Sequence, residues 1–209
     1  MNRLARELVT ANGGEVLGER CLPIEETAVE RIVAEIDRLQ PSFVLNNLIG
    51  PSSYAFLAAM HELAKRNPAF ASERCPVLSC DLTECELDRL APGVGVGQLS
   101  AASYFDNLAT EANSDFKIAF AKTYGRARRI SSIFAATHAA TLLCLEAIHA
   151  TGTDDPLAVK QHLYSAQSQT LLGSLRINST THHADLPVHL GRINTNRGFD
   201  VISSLPAVA

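Results

Sequence analysis

No block of lysine and arginine interleaved with aromatic residues occurs along the 209 residues, and the formal charge of -4 at pH 7 offers nucleic acid no electrostatic footprint. The nearest approach, Arg126-Ala127-Arg128-Arg129, carries three charges just ahead of an apolar stretch and reads as the solvated start of a helix. A secretory leader is also missing: Met1 to Val9 opens with Arg3, Arg6 and Glu7 and has no apolar centre, which sets the expectation of a cytoplasmic protein. Ile130 to Leu145 holds no charge, but it is shorter than the ~20 residues of a membrane span and includes His138, so a buried helix is expected and no membrane partner. Five cysteines form no Cys-x-x-Cys pair. Cys75, Cys80 and Cys85, five residues apart, match no zinc pattern, and an odd count suits reduced thiols. His182-His183 with Asp185 reads as an exposed loop, so neither a metal nor a cofactor is expected. Ser52 and Ser53 lack a Gly-x-Ser-x-Gly elbow. Gly93-x-Gly95-x-Gly97 precedes a strand instead of opening a helix, which argues against nucleotide binding. No catalytic residue is expected, and the chain reads as a receptor and not an enzyme.

What is present is an α/β pattern, with 46% hydrophobic residues, enough to bury a sizeable core. Leu4 to Ala11 reads as the end of a helix closed by Asn12-Gly13-Gly14. Val16-Leu17 and Cys21-Leu22, bounded by Gly14 and Pro23, suggest a strand. Val29, Ile32, Val33, Ile36 and Leu39 recur at helical spacing, and Pro41 blocks further helix. Phe43-Val44-Leu45 with Leu48-Ile49 has the run of a strand buried on both faces, so Val44 to Ile49 is expected at the centre of a mostly parallel sheet of about four or five strands. A helix from near Ser52 to before Asn67 follows, then a strand over Pro76 to Cys80 and a helix over Thr83 to Leu90 capped by Thr83 or Asp81. A fourth strand is expected through Leu99 to Phe105, and helices over Thr110 to Thr123 and Ile130 to Ala150, the latter apolar all round and therefore central. Asp154-Asp155-Pro156 caps another helix to about Gln167. Strands over Leu171 to Ile177 and Leu186 to Ile193 flank a polar loop.

A βαβ unit places its ligand crevice at the carboxyl ends of its strands. Here those ends offer Asn47, Ile49, Gly50, Pro51 and Ser52 on the first turn, Asp81 and Thr83 on the second, and Tyr104 with Phe105 on the third. Asn47 supplies hydrogen bonds and Ile49 an apolar wall, the mixture a small-ligand pocket uses. Ordinary turn chemistry accounts for Gly50-Pro51-Ser52-Ser53 equally well, and Asp81 suits either a ligand amide nitrogen or a helix cap.

Gly13-Gly14-Glu15-Val16-Leu17-Gly18-Glu19, Leu22-Pro23, the Val44 strand with Gly50, Pro76 through Glu86, Gly97-Gln98, Tyr104-Phe105 and His162-Leu163-Tyr164 together resemble the type I periplasmic-binding-protein fold, in its amide-sensing branch. In that family a small ligand lies between two α/β lobes closing about a hinge, and the whole chain matches the C-terminal lobe, residues 1–105, plus crossing and hinge segments, residues 106–209. The resemblance places Asp81 at a pocket position. It implies a regulator of the expression of amide- or nitrile-degrading enzymes, with a small aliphatic amide as ligand, an antiterminator-like protein as partner and homo-oligomers within reach. Its alternative is the substrate-binding component of an ABC uptake system for urea, short amides or branched-chain amino acids. With most of the N-terminal lobe lacking, the isolated chain is expected to bind amides weakly or not at all.

Overall fold

Apolar spacing and proline placement carry the first half of the chain into alternating helices and strands. A computed structural model describes residues 2–80, 82–125 and 128–207. Helix α1 covers Asn2–Ala11 and α2 covers Glu30–Leu39, with Val33 and Ile36 on the buried face of α2. Strand β1 is Val44–Asn46, and α3, Gly50–Arg66, follows with Pro51 in its first turn, where a missing N–H costs nothing. A 3-10 turn over Pro68–Phe70 leads to β2, Val77–Ser79. The short helix α4, Glu84–Leu87, and β3, Leu99–Ala102, complete the parallel part.

Helices α5 (Glu111–Tyr124), α6 (Ser132–Thr151) and α7 (Pro156–Ser165) are each opened by a side-chain cap: Thr110, Ser131 and Asp155 accept from the N–H groups of Asn113, Phe134 and Ala158. A hairpin of β4 (Ser168–Thr170) and β5 (Gly173–Leu175) follows, then β6 (Val188–Ile193) and β7 (Phe199–Leu205). The main sheet runs β1-β2-β3-β6-β7, the first three strands parallel and the last two antiparallel. Gly191 is required where β6 passes the core: a Cβ there would stand 2.8 Å from the Phe105 ring.

Two cores result. The first gathers Val33, Ile36, Phe56, Leu63, Phe70, Val77, Phe105 and Phe199 about the main sheet. The second gathers Tyr104, Ile130, Ala135, Ala139, Leu143, Leu171 and Leu175 beneath α6.

Four expectations need correction. Residues 14–23 form no strand, because no strand lies beside them among the described residues to take up their backbone hydrogen bonds. Strand β1 is an edge strand and β3 the central one; Phe43 and Ile49 at its ends are 46% and 49% exposed. Helix α6 is not buried all round: Ala135, Ala139, Leu143 and Ala147 face inward while Ile133 and Leu145 are 73% and 60% exposed. Finally, Leu171 and Leu172 are the buried turn of the β4–β5 hairpin and not part of one continuous strand, and β7 was not foreseen. At 20 residues α6 is also long and apolar enough, by length and composition, to cross a membrane, yet its alanine-lined face packs inside the fold.

Candidate functional site

Because β1, β2 and β3 are parallel and in register, Val44 beside Val77 and Leu78 beside Leu99, their carboxyl ends lie along one edge. Buried Asn46 ties that edge together. Its amide donates to the Ser53 hydroxyl (3.0 Å) and the Ser79 hydroxyl (3.1 Å), and its side-chain oxygen accepts from Leu48 N–H (3.1 Å). The β1 turn is thereby anchored to the first turn of α3 and to β2. Gly50 enters α3 at φ +56°, a backbone angle that favours glycine.

On this anchored turn Ser52 is buried, yet among the described residues its hydroxyl has no hydrogen-bond partner, and the side-chain oxygen of Asn47 is likewise buried and unpartnered there. The Asn47 amide donates to Asn2 (3.1 Å). Ile49 and Pro51 are exposed beside them. Asn47, Ile49, Gly50, Pro51 and Ser52 therefore do share one turn.

At the end of β2, Thr83 caps α4: the Glu86 carboxylate accepts from the Thr83 N–H (2.8 Å) and from its hydroxyl. Asp81, the other residue considered there as ligand or cap, lies outside the described residues. Glu84 is buried, with Oε1 accepting from Asp106 N–H (2.8 Å) and Oε2 without a partner among the described residues. Burial holds its carboxyl up to about 7, opposed by the hydrogen bond from the Asp106 backbone. Asp106 in turn accepts from Ile130 N–H (2.9 Å) and pairs with Lys117 (2.7 Å).

At the end of β3, Tyr104 is fully buried in the second core and its hydroxyl donates to Asn113 (2.7 Å), with burial raising its pKa. Phe105 packs against Phe199 with ring centroids 4.5 Å apart and the planes tilted by 33°. Both pack inside the chain rather than lining the open edge. Sequence reasoning missed Asn46, Glu84 and Asp106. Thr83 was legible as one of two cap candidates for α4, whereas the burial of Glu84 depends on strands far away in sequence.

The larger of two described cavities, about 190 Å³, is lined by Met60, His61, Ser72, Gly95 and Gln98, next to the start of β3 and away from this edge. It is smaller than the roughly 300–1,000 Å³ of small-molecule sites. No cluster of histidine, cysteine, aspartate and glutamate suited to a metal occurs among the described residues.

A parallel-stranded edge carrying small polar groups, on a mixed sheet flanked by helices, is the arrangement of the type I periplasmic-binding-protein fold. Residues 1–208 match the periplasmic binding protein domain, and the chain belongs to that family. Among solved structures it is similar to an amino acid ABC transporter substrate-binding protein from Pseudomonas fluorescens Pf-5 (18% identity, 100% of this chain and 56% of that one, TM-score 0.83). A solute-binding protein from Rhodopseudomonas palustris HaA2 in complex with p-hydroxybenzoic acid gives 19% identity, 100% and 57% coverage, and a TM-score of 0.85. The leucine-, isoleucine-, valine-, threonine- and alanine-binding protein from Brucella ovis gives 14%, 99%, 54% and 0.80. At these identities the likeness concerns the fold. The chain spans about half the length of these structures. A curated relative named limonene hydroxylase, from Geobacillus stearothermophilus, is 32% identical over 108 residues, covering 52% of this chain and 20% of that protein. The family and the solved structures are binding proteins.

Proposed function

We propose that this chain forms one part of a two-lobed receptor for a small organic solute, of the kind that serves uptake systems. The match of residues 1–208 to the periplasmic binding protein domain carries the reading. The solute classes to test are amino acids and aromatic acids, which the solved relatives' names specify for those proteins, together with urea and short amides. On this reading the solute meets the carboxyl edge. Ser52, Asn47 and Thr83 supply hydrogen bonds, Ile49 and Pro51 the apolar contact, and Asp81 a charge-assisted bond to a ligand nitrogen. The buried Ser52 hydroxyl, unpartnered among the described residues, supports this, since buried polar groups normally have a hydrogen-bond partner.

The test is amide chemical-shift mapping of the isotopically labelled chain with leucine, 4-hydroxybenzoate or acetamide at millimolar concentration. Shifts confined to residues 47–53 and 81–86 are the expected result. Silence there for all three solutes would overturn the reading. With half of an enclosing site supplied, binding should be weak, because the solute's hydrogen bonds still compete with water.

A second reading, a cytoplasmic amide receptor that restrains an antiterminator-like protein, is favoured by the thiols. Cys21, Cys85 and Cys144 are exposed free cysteines, a condition suited to a reducing compartment. A response to acetamide alone would favour this regulator, and a response to leucine or 4-hydroxybenzoate the uptake component.

A further inference from the structure

The cavity beside the start of β3 is built from three segments that meet at the amino ends of the strands, the opposite end from Asn47 and Ser52. Helix α3 supplies Leu57, Met60, His61 and Ala64, whose three- and four-residue spacing puts them on one face. Residues 71–73, just after the 3-10 turn, and residues 95–98, just before β3, close the other sides. Leu57 and Met60 belong to the first core, so the floor is apolar and fixed in place. Backbone shape sets the rim: Gly97 has φ +85° and lies so close to the neighbouring segment that a Cβ there would collide with the Ser72 side chain.

Four polar side chains line the same cavity: His61, Ser72, Glu73 and Gln98. The Gln98 amide oxygen accepts from Val77 N–H (2.6 Å), which leaves its NH2 group as the end free to donate. Neither that group nor the side chains of His61, Ser72 and Glu73 make a hydrogen bond to another described residue, and Glu73 forms no ion pair among them. An apolar floor with a few polar groups around it is the composition of a ligand site.

Size and chemistry select the occupant. The volume of about 190 Å³ is too small to enclose a large solute, yet an apolar cavity of about 150 Å³ holds one benzene molecule. The floor therefore has room for a single six-membered ring. An aromatic ring suits it better than a saturated one, because the Met60 sulfur and the Gln98 N–H both interact favourably with aromatic rings. Glu73 supplies the one carboxylate of the lining, and the Ser72 hydroxyl and the His61 ring add neutral acceptors, a set that fits the three donors of an ammonium group. We infer that this cavity is a second ligand site, for a small aromatic amine whose ring lies on Leu57 and Met60 and whose ammonium group sits at the mouth beside Glu73. The inference goes beyond the solute-binding reading and holds whichever solute the carboxyl edge takes.

The chain has two methionines, Met1 and Met60, so isotope labelling of their methyl carbons gives a two-line spectrum in which M60L assigns the Met60 line. Titrated with benzylamine at millimolar concentration, the Met60 line should shift and saturate. Benzoate, with the opposite charge, should bind about tenfold more weakly, and cyclohexylmethylamine, with no aromatic face, about threefold more weakly. E73Q alters an exposed residue and should keep the fold, lose about threefold in benzylamine affinity and bind benzyl alcohol as before. A64L, which fills the cavity from α3, should abolish the response; if that variant misfolds, E73Q decides. A Met60 line that benzylamine does not move overturns the inference, as does benzoate binding as tightly as benzylamine. Amide shifts confined to residues 47–53 and 81–86 overturn it as well, because they place the amine at the carboxyl edge, and they leave the solute-binding reading standing.

Discussion

The region around the main sheet and the region around α6 differ in how completely each satisfies itself. The first encloses large side chains from helices and strands alike: Phe56, Leu57, Met60, Leu63, Phe70, Phe105 and Phe199 are all nearly or fully inaccessible. The second has a similarly apolar sequence, yet α6 is covered on one side, by α7, the small β4–β5 hairpin and the Phe116 and Phe120 rings of α5, and its far side stays open. Its inward stripe is Ala135, Ala139, Leu143 and Ala147, and three alanines bury little area. On the outward side Ile133, Leu145 and Ile148 stay exposed, as does Leu157 of α7. A helix apolar on all faces is normally covered on all faces. Hydrophobic composition is therefore no measure of core formation: the number of elements available to cover a face decides how much of it is buried.

The sharpest test of this contrast is a pair of truncations. F199A removes a ring that is fully buried and packed against Phe105, and should cost about 3–5 kcal/mol in urea unfolding. L143A, beneath a helix exposed on its other side, should fall near the low end for such changes, about 2 kcal/mol. Equal losses would break the comparison.

Next in size is the pH response of the seam between the regions, where Glu84 accepts from Asp106 and Arg129 reaches the Glu84 carbonyl (3.4 Å). With the folded value near 7 and the ordinary one at 4.5, only the unfolded chain ionises this carboxyl in between. The folded state then binds more protons, so stability falls as pH rises from about 4.5 to 7 and levels off above, a change of roughly 3 kcal/mol. E84Q keeps an acceptor for the Asp106 N–H and should flatten that slope in denaturation curves taken at several pH values.

Within the sheet region, N46A leaves the buried Ser53 and Ser79 hydroxyls without their shared partner, and should cost about 1–3 kcal/mol. S52A, where the hydroxyl has no partner among the described residues to lose, should change the unfolding free energy by no more than about 0.5 kcal/mol. That variant should still weaken any solute-induced shifts at residues 47–53. The smallest stability effect is expected for I133K and L145K on the outward face of α6, within about 0.5 kcal/mol. Light scattering should show less self-association for both variants, since each breaks an exposed apolar stripe.

Local chemistry made much of this fold legible. The spacing of Val29, Val33 and Ile36, the prolines at 41, 51 and 156, and the cap candidate Thr83 act within a turn or two, and the helices begin close to where those residues direct, although α4 stops at Leu87, short of the expected Leu90. The first βα turn was legible for the same reason: five neighbouring residues, Asn47 to Pro51 with Ser52 close behind, cannot be far apart in any fold. The roles of Tyr104 and Phe105 were not. A strand end with two aromatics reads the same whether the rings line a crevice or a core, and here Asn113 and Phe199 decide that they pack inside.

By itself, then, the sequence determined where most helices and the three parallel strands lie, their capped ends and the polar character of the turns, because these depend on backbone preferences and on neighbours a few residues away. Only the tertiary structure decided which strand is central, which face of α6 is covered and why Glu84 titrates near neutrality. Those outcomes depend on which distant surfaces come together, and an apolar run carries the same pattern whether a partner covers it or leaves it open.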